Sequence, residues 1–483
     1  MSTAEKGRGL RRELRFWETI ALSIGIMAPT AAMALNGVGV AGNVGQAVPL
    51  AFLISAILVF LVAFGIMRLA GHYSHAGSVY AFTGATLGPR AGFFSGWALL
   101  GTYLSFTVAS TAEVGLFLAQ FANGTGIWSG SEWIWIALVA AVSVGILAYS
   151  DIKITTRTLL SIEAVSVLLI TVLMVVIFVK LASGSTPGNQ GFTADVFKLP
   201  GGTSSSALGL AIVLAFLSWG GFEGAAALGE ETNEPRREIP RAIRNAVIGA
   251  GIFYVLCMLA QSWGFGTDKS GVAAFSGSSS PLGDLGKTYI ASWMGDLINL
   301  GAGVSAFASA LGTATGASRI LFAMGRDGFV TPRLGMSSQR TGAPAVALAT
   351  VITIAAAGLI GMRAYGISDA VSAFFYPGTI GVLSMIVAYA VTNIGAGRMF
   401  LRDSRERLWE LFFPAAAIIV LVYVFYRNAV GQLYPFNWFP WVVAAWLLAG
   451  FAIIMAVPGL ASRIGANLTE SEGMQAVSRS PGG

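Results

Sequence analysis

The run Pro49 to Met67, PLAFLISAILVFLVAFGIM, has 19 residues and no charge. At 1.5 Å per residue, a helix of that length crosses a hydrocarbon core about 30 Å thick. Lipid offers no hydrogen bonds, so every backbone N–H and C=O in such a run must be satisfied by protein, and a membrane-spanning helix is the fold that does this. Comparable stretches recur at residues 16–42, 47–68, 90–121, 132–150, 157–182, 205–230, 241–266, 288–324, 343–362, 367–394, 409–427 and 437–458, which predicts twelve spans. Composition agrees: 55% of the 483 residues are hydrophobic and 11% charged, against about 25% charged in soluble domains. A soluble globular protein is excluded. The first span is longer than the apolar region of a cleavable signal and is read as retained. One cysteine, Cys257, and two histidines, His72 and His75, give no disulfide framework and no metal cluster. Neither metal nor cofactor is expected.

An even number of spans places both termini on one side of the bilayer. Of the 29 Lys and Arg, 23 fall in loops on that side and 6 on the other. The positive-inside rule therefore predicts cytoplasmic N and C termini in a multi-pass protein of the cell membrane. The net charge of +6 reports topology, so the expected partner of the basic residues is the lipid bilayer and no nucleic acid is invoked.

Two spans are interrupted near their middles. The first reads SIGIMAPTAAM, where Gly25 and Pro29 break an apolar run, and Pro29 removes a backbone donor. The sixth reads AFLSWGGFEGAAALGEE, with Gly220, Gly221 and Gly224 around Trp219 and Glu223. Freed backbone groups at membrane depth are tolerated only beside protein or a wet cavity. If spans 1–5 (residues 16–182) and 6–10 (residues 205–394) are two halves, the breaks occupy equivalent positions, the pattern that marks a midplane site in inverted-repeat transporters. Residues 395–460 then form two peripheral spans, with cytoplasmic tails at 1–15 and 461–483, the latter polar and expected to be disordered.

Three loops carry distinctive patterns. GEETNEPRREIPRAI (residues 229–243) sets Glu230, Glu231 and Glu234 against Arg236, Arg237, Arg241 and Arg244, with Pro235 and Pro240 expected to start helices. It reads either as an ion-paired gate or as a solvated hinge. SRILFAMGRDGFVTPRL (residues 318–334), with Arg319, Arg326 and Asp327, follows span 8, and AGSVYAFTGATLGPRAGFFSGW (residues 76–97) leads into span 3. These stretches, in this order and at these loops, resemble the signatures of the amino acid, polyamine and organocation (APC) permeases, and the resemblance covers residues 14–460.

The resemblance implies an all-α membrane protein with a LeuT-like core of ten helices in two inverted repeats, broken in helices 1 and 6, plus two peripheral helices. A small-molecule substrate, an amino acid or an amine, would lie between the breaks. Half-helix N–H groups suit a carboxylate and unwound carbonyls suit an ammonium, so the implied substrate segments are Ile24, Gly25, Ile26, Met27 and Ala28, and Ser218, Trp219, Gly220 and Gly221. Phe216 and Trp219 are candidates for an aromatic lid, with Tyr103 facing it. Family members commonly carry glycine-rich triplets in the first break, whereas this chain has Met27, Ala28, Pro29 and Thr30. That departure leaves room for amines lacking a carboxylate.

Intramembrane acids are costly and need partners. Glu223 follows the second break in a GFE pattern that resembles the family's sixth helix, where an acid orients the broken backbone, binds a cation or takes a proton. Glu113 in span 3 and Glu163 in span 5 are alternative proton carriers, and Asp296 sits nearer a helix end. Some proton-coupled relatives carry a lysine on helix 5 where this chain aligns Ser166. Ser309 and Thr313, four apart on one face of span 8, offer hydroxyls for a sodium ion, or simply stitch helices together. The coupling ion is thus read as H+, with Na+ or ion-independent exchange as the alternatives. No HExxH, GxSxG or Walker-type loop appears, so the chain is read as a transporter of amino acids by alternating access, with polyamine or other amine uptake as the alternative and no enzymatic role.

Overall fold

The computed structural model describes residues 16–456, apart from 74–77, 151, 189, 229–231, 327–330, 339–340, 342 and 403–406. The tails 1–15 and 461–483, His75, Glu230, Glu231 and Asp327 lie outside the described residues. The chain forms α1 (Phe16–Met27), α2 (Pro29–Val44), α3 (Val48–His72), α4 (Ser78–Leu87), α5 (Pro89–Thr125), α6 (Trp133–Tyr149), α7 (Ile152–Ser183) and α8 (Ser205–Phe216). It continues through α9 (Pro235–Phe265), α10 (Lys269–Gly277), α11 (Pro281–Tyr289), α12 (Ser292–Arg326), α13 (Ala345–Ala364), α14 (Ala370–Arg402), α15 (Phe412–Ala429) and α16 (Phe439–Ala456). No strand occurs among the described residues.

Ten stretches are long and apolar enough to cross a membrane. One of them, Thr19–His72, is 54 residues long and takes in the described parts of α1, α2 and α3, while α6, at Trp133–Tyr149, is apolar but shorter. The apolar runs read from sequence correspond closely to these helices. The short connecting helices α4, α10 and α11 were invisible to hydropathy because a helix of 9 or 10 residues is shorter than a spanning window. Pro235 opens α9 as expected, whereas Pro240 lies inside that helix and starts nothing.

The longest helix, α5, is the spine: α12 and α14 pack along it, with α4, α6, α13 and α16 around them. Elsewhere α3 lies against α9, and α2 packs against α8, α10 and α12. The outer helix α16 is fastened to the spine by a reciprocal pair. Trp97 Nε1 donates to the Trp446 carbonyl at 2.7 Å and Trp446 Nε1 to the Trp97 carbonyl at 2.9 Å, with the rings stacked at 4.4 Å. A second fastening joins the end of α3 to the turn before α15, where Arg68 and Glu410 pair at 2.8 Å. Val139 and Ile146 on α6, Ile419 and Val422 on α15, and Trp441 and Leu448 on α16 are exposed, an apolar exterior suited to lipid.

Candidate functional site

Both interrupted spans are broken, and each break is built differently. The first is a single residue: α1 stops at Met27, Ala28 adopts φ 46° and ψ 65°, and Pro29 opens α2. A left-handed alanine is costly; Pro29 disfavours the right-handed helical conformation for the residue before it, and bonds from Ala28 N to the Ile24 carbonyl and from Ala32 N to the Ala28 carbonyl hold Ala28 in place. Proline at the first helical position lacks an N–H that would have no acceptor there, and its ring presets φ for the following turn. Pro29 is thus the start of a second half-helix. The N–H groups that follow it are already taken: Thr30 N donates to Glu163 Oε1 of α7 at 2.9 Å, and Ala31 N to Ser305 Oγ of α12 at 3.2 Å. The half-helix N-terminus that sequence reasoning offered to a substrate carboxylate is capped by the protein itself.

The second break is longer and glycine-built. After α8 the chain makes a tight turn over Leu217–Trp219, passes Gly220 and Gly221, and winds again over Phe222–Leu228. Gly221 has φ +100°, and a β-carbon there would lie 2.1 Å from Ile26 Cγ2. Ile26 of the first break therefore plugs directly into the second. Hydrogen bonds lock the two together: Ser23 Oγ donates to the Phe222 carbonyl at 2.8 Å and accepts from Ala225 N at 3.0 Å. On the other side of the breaks, Asn36 Nδ2 donates to Ser218 Oγ at 2.7 Å. Each half of the first broken helix is tied to the facing half of the second.

Glu223 is fully buried and accepts two phenolic hydroxyls, Tyr103 of α5 at 2.9 Å and Tyr389 of α14 at 2.5 Å. It anchors the second break to two helices of the surrounding framework. Tyr103 thus faces Glu223. Phe216 packs on Tyr389 and Trp219 between Phe52 and Tyr254.

Between the breaks lies a cavity of about 30 Å³, room for roughly two water molecules. Ile26, Met27, Ala28, Asn36, Leu217 and Gly220 line it from the broken segments, Phe106, Ser110 and Glu113 from α5, Ser309 from α12 and Phe374 from α14. Of the expected site residues, Ile26, Met27, Ala28, Gly220, Glu113 and Ser309 meet here. Ile24 contributes its carbonyl to Ala28 N, and Gly25 lies one residue before the plug. Phe106 fills the space left by Gly220 and by Gly381 of α14, where β-carbons would sit 2.5 Å from its ring.

The hydroxyls proposed for a cation are engaged. Ser309 Oγ donates to the Ile26 carbonyl at 3.0 Å and accepts from Ser110; Thr313 Oγ1 donates to the Ser309 carbonyl at 2.9 Å and accepts from Thr107. Ser166 donates to the Ile162 carbonyl and packs on Gly301, whose β-carbon would be 2.4 Å from its Oγ, a crossing too close for a lysine. In the loop motif, Glu234 and Arg237 pair at 3.4 Å, both about two-thirds exposed. No group of three His, Cys, Asp or Glu that could hold a metal occurs among the described residues. Ser23, Asn36, Phe106 and Phe374 were missed from sequence. A polar residue in an apolar run was the available signal for Asn36; the phenylalanines carried none.

Two discontinuous membrane helices enclosing a small cavity against an unbroken framework define a transporter of the LeuT-like class. Residues 14–462 match the amino acid permease family, and the chain belongs to that family of the APC superfamily. It is 26% identical over 356 residues to the branched-chain amino acid permease BcaP of Bacillus subtilis (strain 168), covering 70% of this chain and 72% of that one. It is also 26% identical to the low-affinity putrescine importer PlaP of Escherichia coli (strain K12), over 66% of this chain and 68% of the importer. Among solved structures it shares its fold with a mutant form of a manganese transporter of Eremococcus coleocola: TM-score 0.57, 12% identity, 95% of this chain and 99% of that one.

Proposed function

We propose that this permease is a secondary active transporter of the cell membrane, moving an amino acid or organic amine by alternating access around the cavity between the breaks. The observation that carries this reading is the pair of locks, Ser23 on Phe222 and Ala225, and Asn36 on Ser218. They make α1, α2 and the second broken helix one body, whose movement must release the bonds that hold it to the framework: Thr30 to Glu163, Ala31 to Ser305, Ser309 to Ile26, and Tyr103 and Tyr389 to Glu223. The cavity of about 30 Å³ is too small for a whole solute, so loading requires that body to move against α5, α12 and α14. The named substrates of BcaP and PlaP support the solute class. Two five-span repeats, residues 16–182 and 205–394, with peripheral spans in 395–460 and cytoplasmic termini, complete the proposed architecture of twelve spans.

Protons are the proposed coupling ion. Ser309 and Thr313 each donate to a protein carbonyl and accept from a neighbouring hydroxyl, which leaves one lone pair apiece, whereas Glu113 faces the cavity with an unpartnered oxygen. Glu223 is proposed as a positioning residue, since both its oxygens hold tyrosines.

Purified protein in proteoliposomes tests these statements. Saturable counterflow of labelled amino acids or putrescine, driven by a pH gradient and indifferent to sodium, is expected. Currents beyond carrier turnover without counterflow would make it a channel, and dependence on internal substrate alone would make it an exchanger. Glu223→Gln should slow transport without moving its pH profile, because an amide accepts from only one of the two tyrosines; a shifted profile would return Glu223 to proton carriage.

A further inference from the structure

The cavity between the breaks has a one-sided hydrogen-bonding inventory. Its hydroxyl and backbone donors are engaged, and one of the two N–H donors of the Asn36 amide is taken. Ser110 donates to Ser309, Ser309 to the Ile26 carbonyl, and the Asn36 amide to Ser218. Ala28 N donates to the Ile24 carbonyl and Gly220 N to the Leu217 carbonyl. Pro29 has no N–H, and the next two, Thr30 and Ala31, are held by Glu163 and Ser305. Its acceptors, by contrast, are left over. Glu113 Oε1 and Asn36 Oδ1 are both buried with no hydrogen-bond partner, on side chains 3% and 1% exposed, and both residues line the cavity.

Once its proton has left, a buried carboxylate without a partner is among the most expensive groups a membrane protein can keep. No ion pair or hydrogen bond satisfies Glu113 among the described residues, and Glu163, within electrostatic range, carries the same sign. What would satisfy Glu113 and Asn36 together is a compact, positively charged, donor-only group, and an ammonium with three N–H donors and no acceptor has that chemistry. A carboxylate entering the same space would find at most the second N–H of the Asn36 amide and would face Glu113 with Glu163 behind it.

We propose that Glu113, on releasing its proton, is the counter-charge for the ammonium of the transported solute, so that proton and ammonium occupy it in turn, and that this site takes organic amines lacking a carboxylate in preference to zwitterionic amino acids. The inference rests on the cavity being the transport site. It explains the departure of the first break from the glycine-rich pattern: with Pro29 in place and the next amides capped, a carboxylate cradle has been given up and an anionic subsite remains.

Leucine and 3-methylbutylamine differ only in the carboxylate, so they separate the two classes at constant side-chain shape, and putrescine adds a second ammonium. Binding of each to the purified full-length wild-type protein is measured by calorimetry and competition, alongside counterflow in proteoliposomes. The amines are expected to bind at least about tenfold tighter than leucine, and Glu113→Gln to weaken them at least about tenfold. Leucine binding as tightly as 3-methylbutylamine would overturn the inference while leaving the transporter reading intact. So would amine binding undiminished in Glu113→Gln. Absence of counterflow for these solutes and for a mixture of the twenty amino acids would overturn both. The wild-type series needs no variant, so it stands even if Glu113→Gln does not fold.

Discussion

The two breaks solve one problem by opposite means. In the first, a single left-handed alanine and a proline interrupt the helix, and the freed N–H donors reach outward to Glu163 and Ser305 on neighbouring helices. In the second, glycines open the chain, and a carboxylate carried by the broken segment receives donors from Tyr103 and Tyr389. The first break borrows acceptors from the framework and the second borrows donors. An interrupted membrane helix thus needs polar partners on intact helices, and the sign of those partners is set by which backbone or side-chain groups the interruption leaves facing them.

The contrast makes ordered predictions. Gly221→Ala should be the most damaging, because the residue combines φ +100° with a 2.1 Å approach to Ile26. A cost of about 3 kcal/mol or more should appear as loss of a monodisperse peak in detergent; a wild-type elution profile and melting temperature would show that the second break does not depend on glycine.

Glu163→Ala should come next. It strands the buried Thr30 N–H, at about 1–3 kcal/mol, whereas Glu163→Gln keeps an acceptor and should melt close to wild type. Equal melting temperatures for the two variants would mean the first break is not capped from outside.

Tyr389→Phe removes one of the two phenolic donors from Glu223 and should cost about 1–2 kcal/mol. Glu223→Gln made in that background should then do little further harm, because a Gln carbonyl can still accept from Tyr103. Additive losses in a double-mutant cycle would dissolve the anchor. The smallest effect is expected at a fastening that touches neither break. Arg68 is 36% exposed but its partner Glu410 only 11%, so Arg68→Lys, which keeps a cation beside that carboxylate, should cost below about 1 kcal/mol and leave solute affinity unchanged.

Much of this fold was legible in the sequence because lipid imposes a strong, simple rule on segment length and charge. The breaks were legible too, since Pro29 and the Gly220–Gly221 pair have no ordinary place in a helix interior. What each break faces was not. Whether Thr30 N–H points at a solute or at Glu163 depends on how α7 crosses α2, 133 residues away in sequence, and no local pattern encodes that crossing. Trp219 illustrates the same limit: it flanks a break, yet the turn over Leu217–Trp219 rotates its ring onto Phe52 and Tyr254, while Phe106, unremarkable in sequence, occupies the space against Gly220.

The reciprocal pair of Trp97 and Trp446 has a spectroscopic consequence. Two indoles stacked at 4.4 Å and 13°, each held by the other's backbone, interact as coupled chromophores and should give a circular-dichroism couplet of their own. Both belong to helices outside the locked body of the two breaks, so the couplet should persist unchanged through solute loading. The protein carries an internal optical reference against which changes near Trp219, on the side proposed to move, can be read.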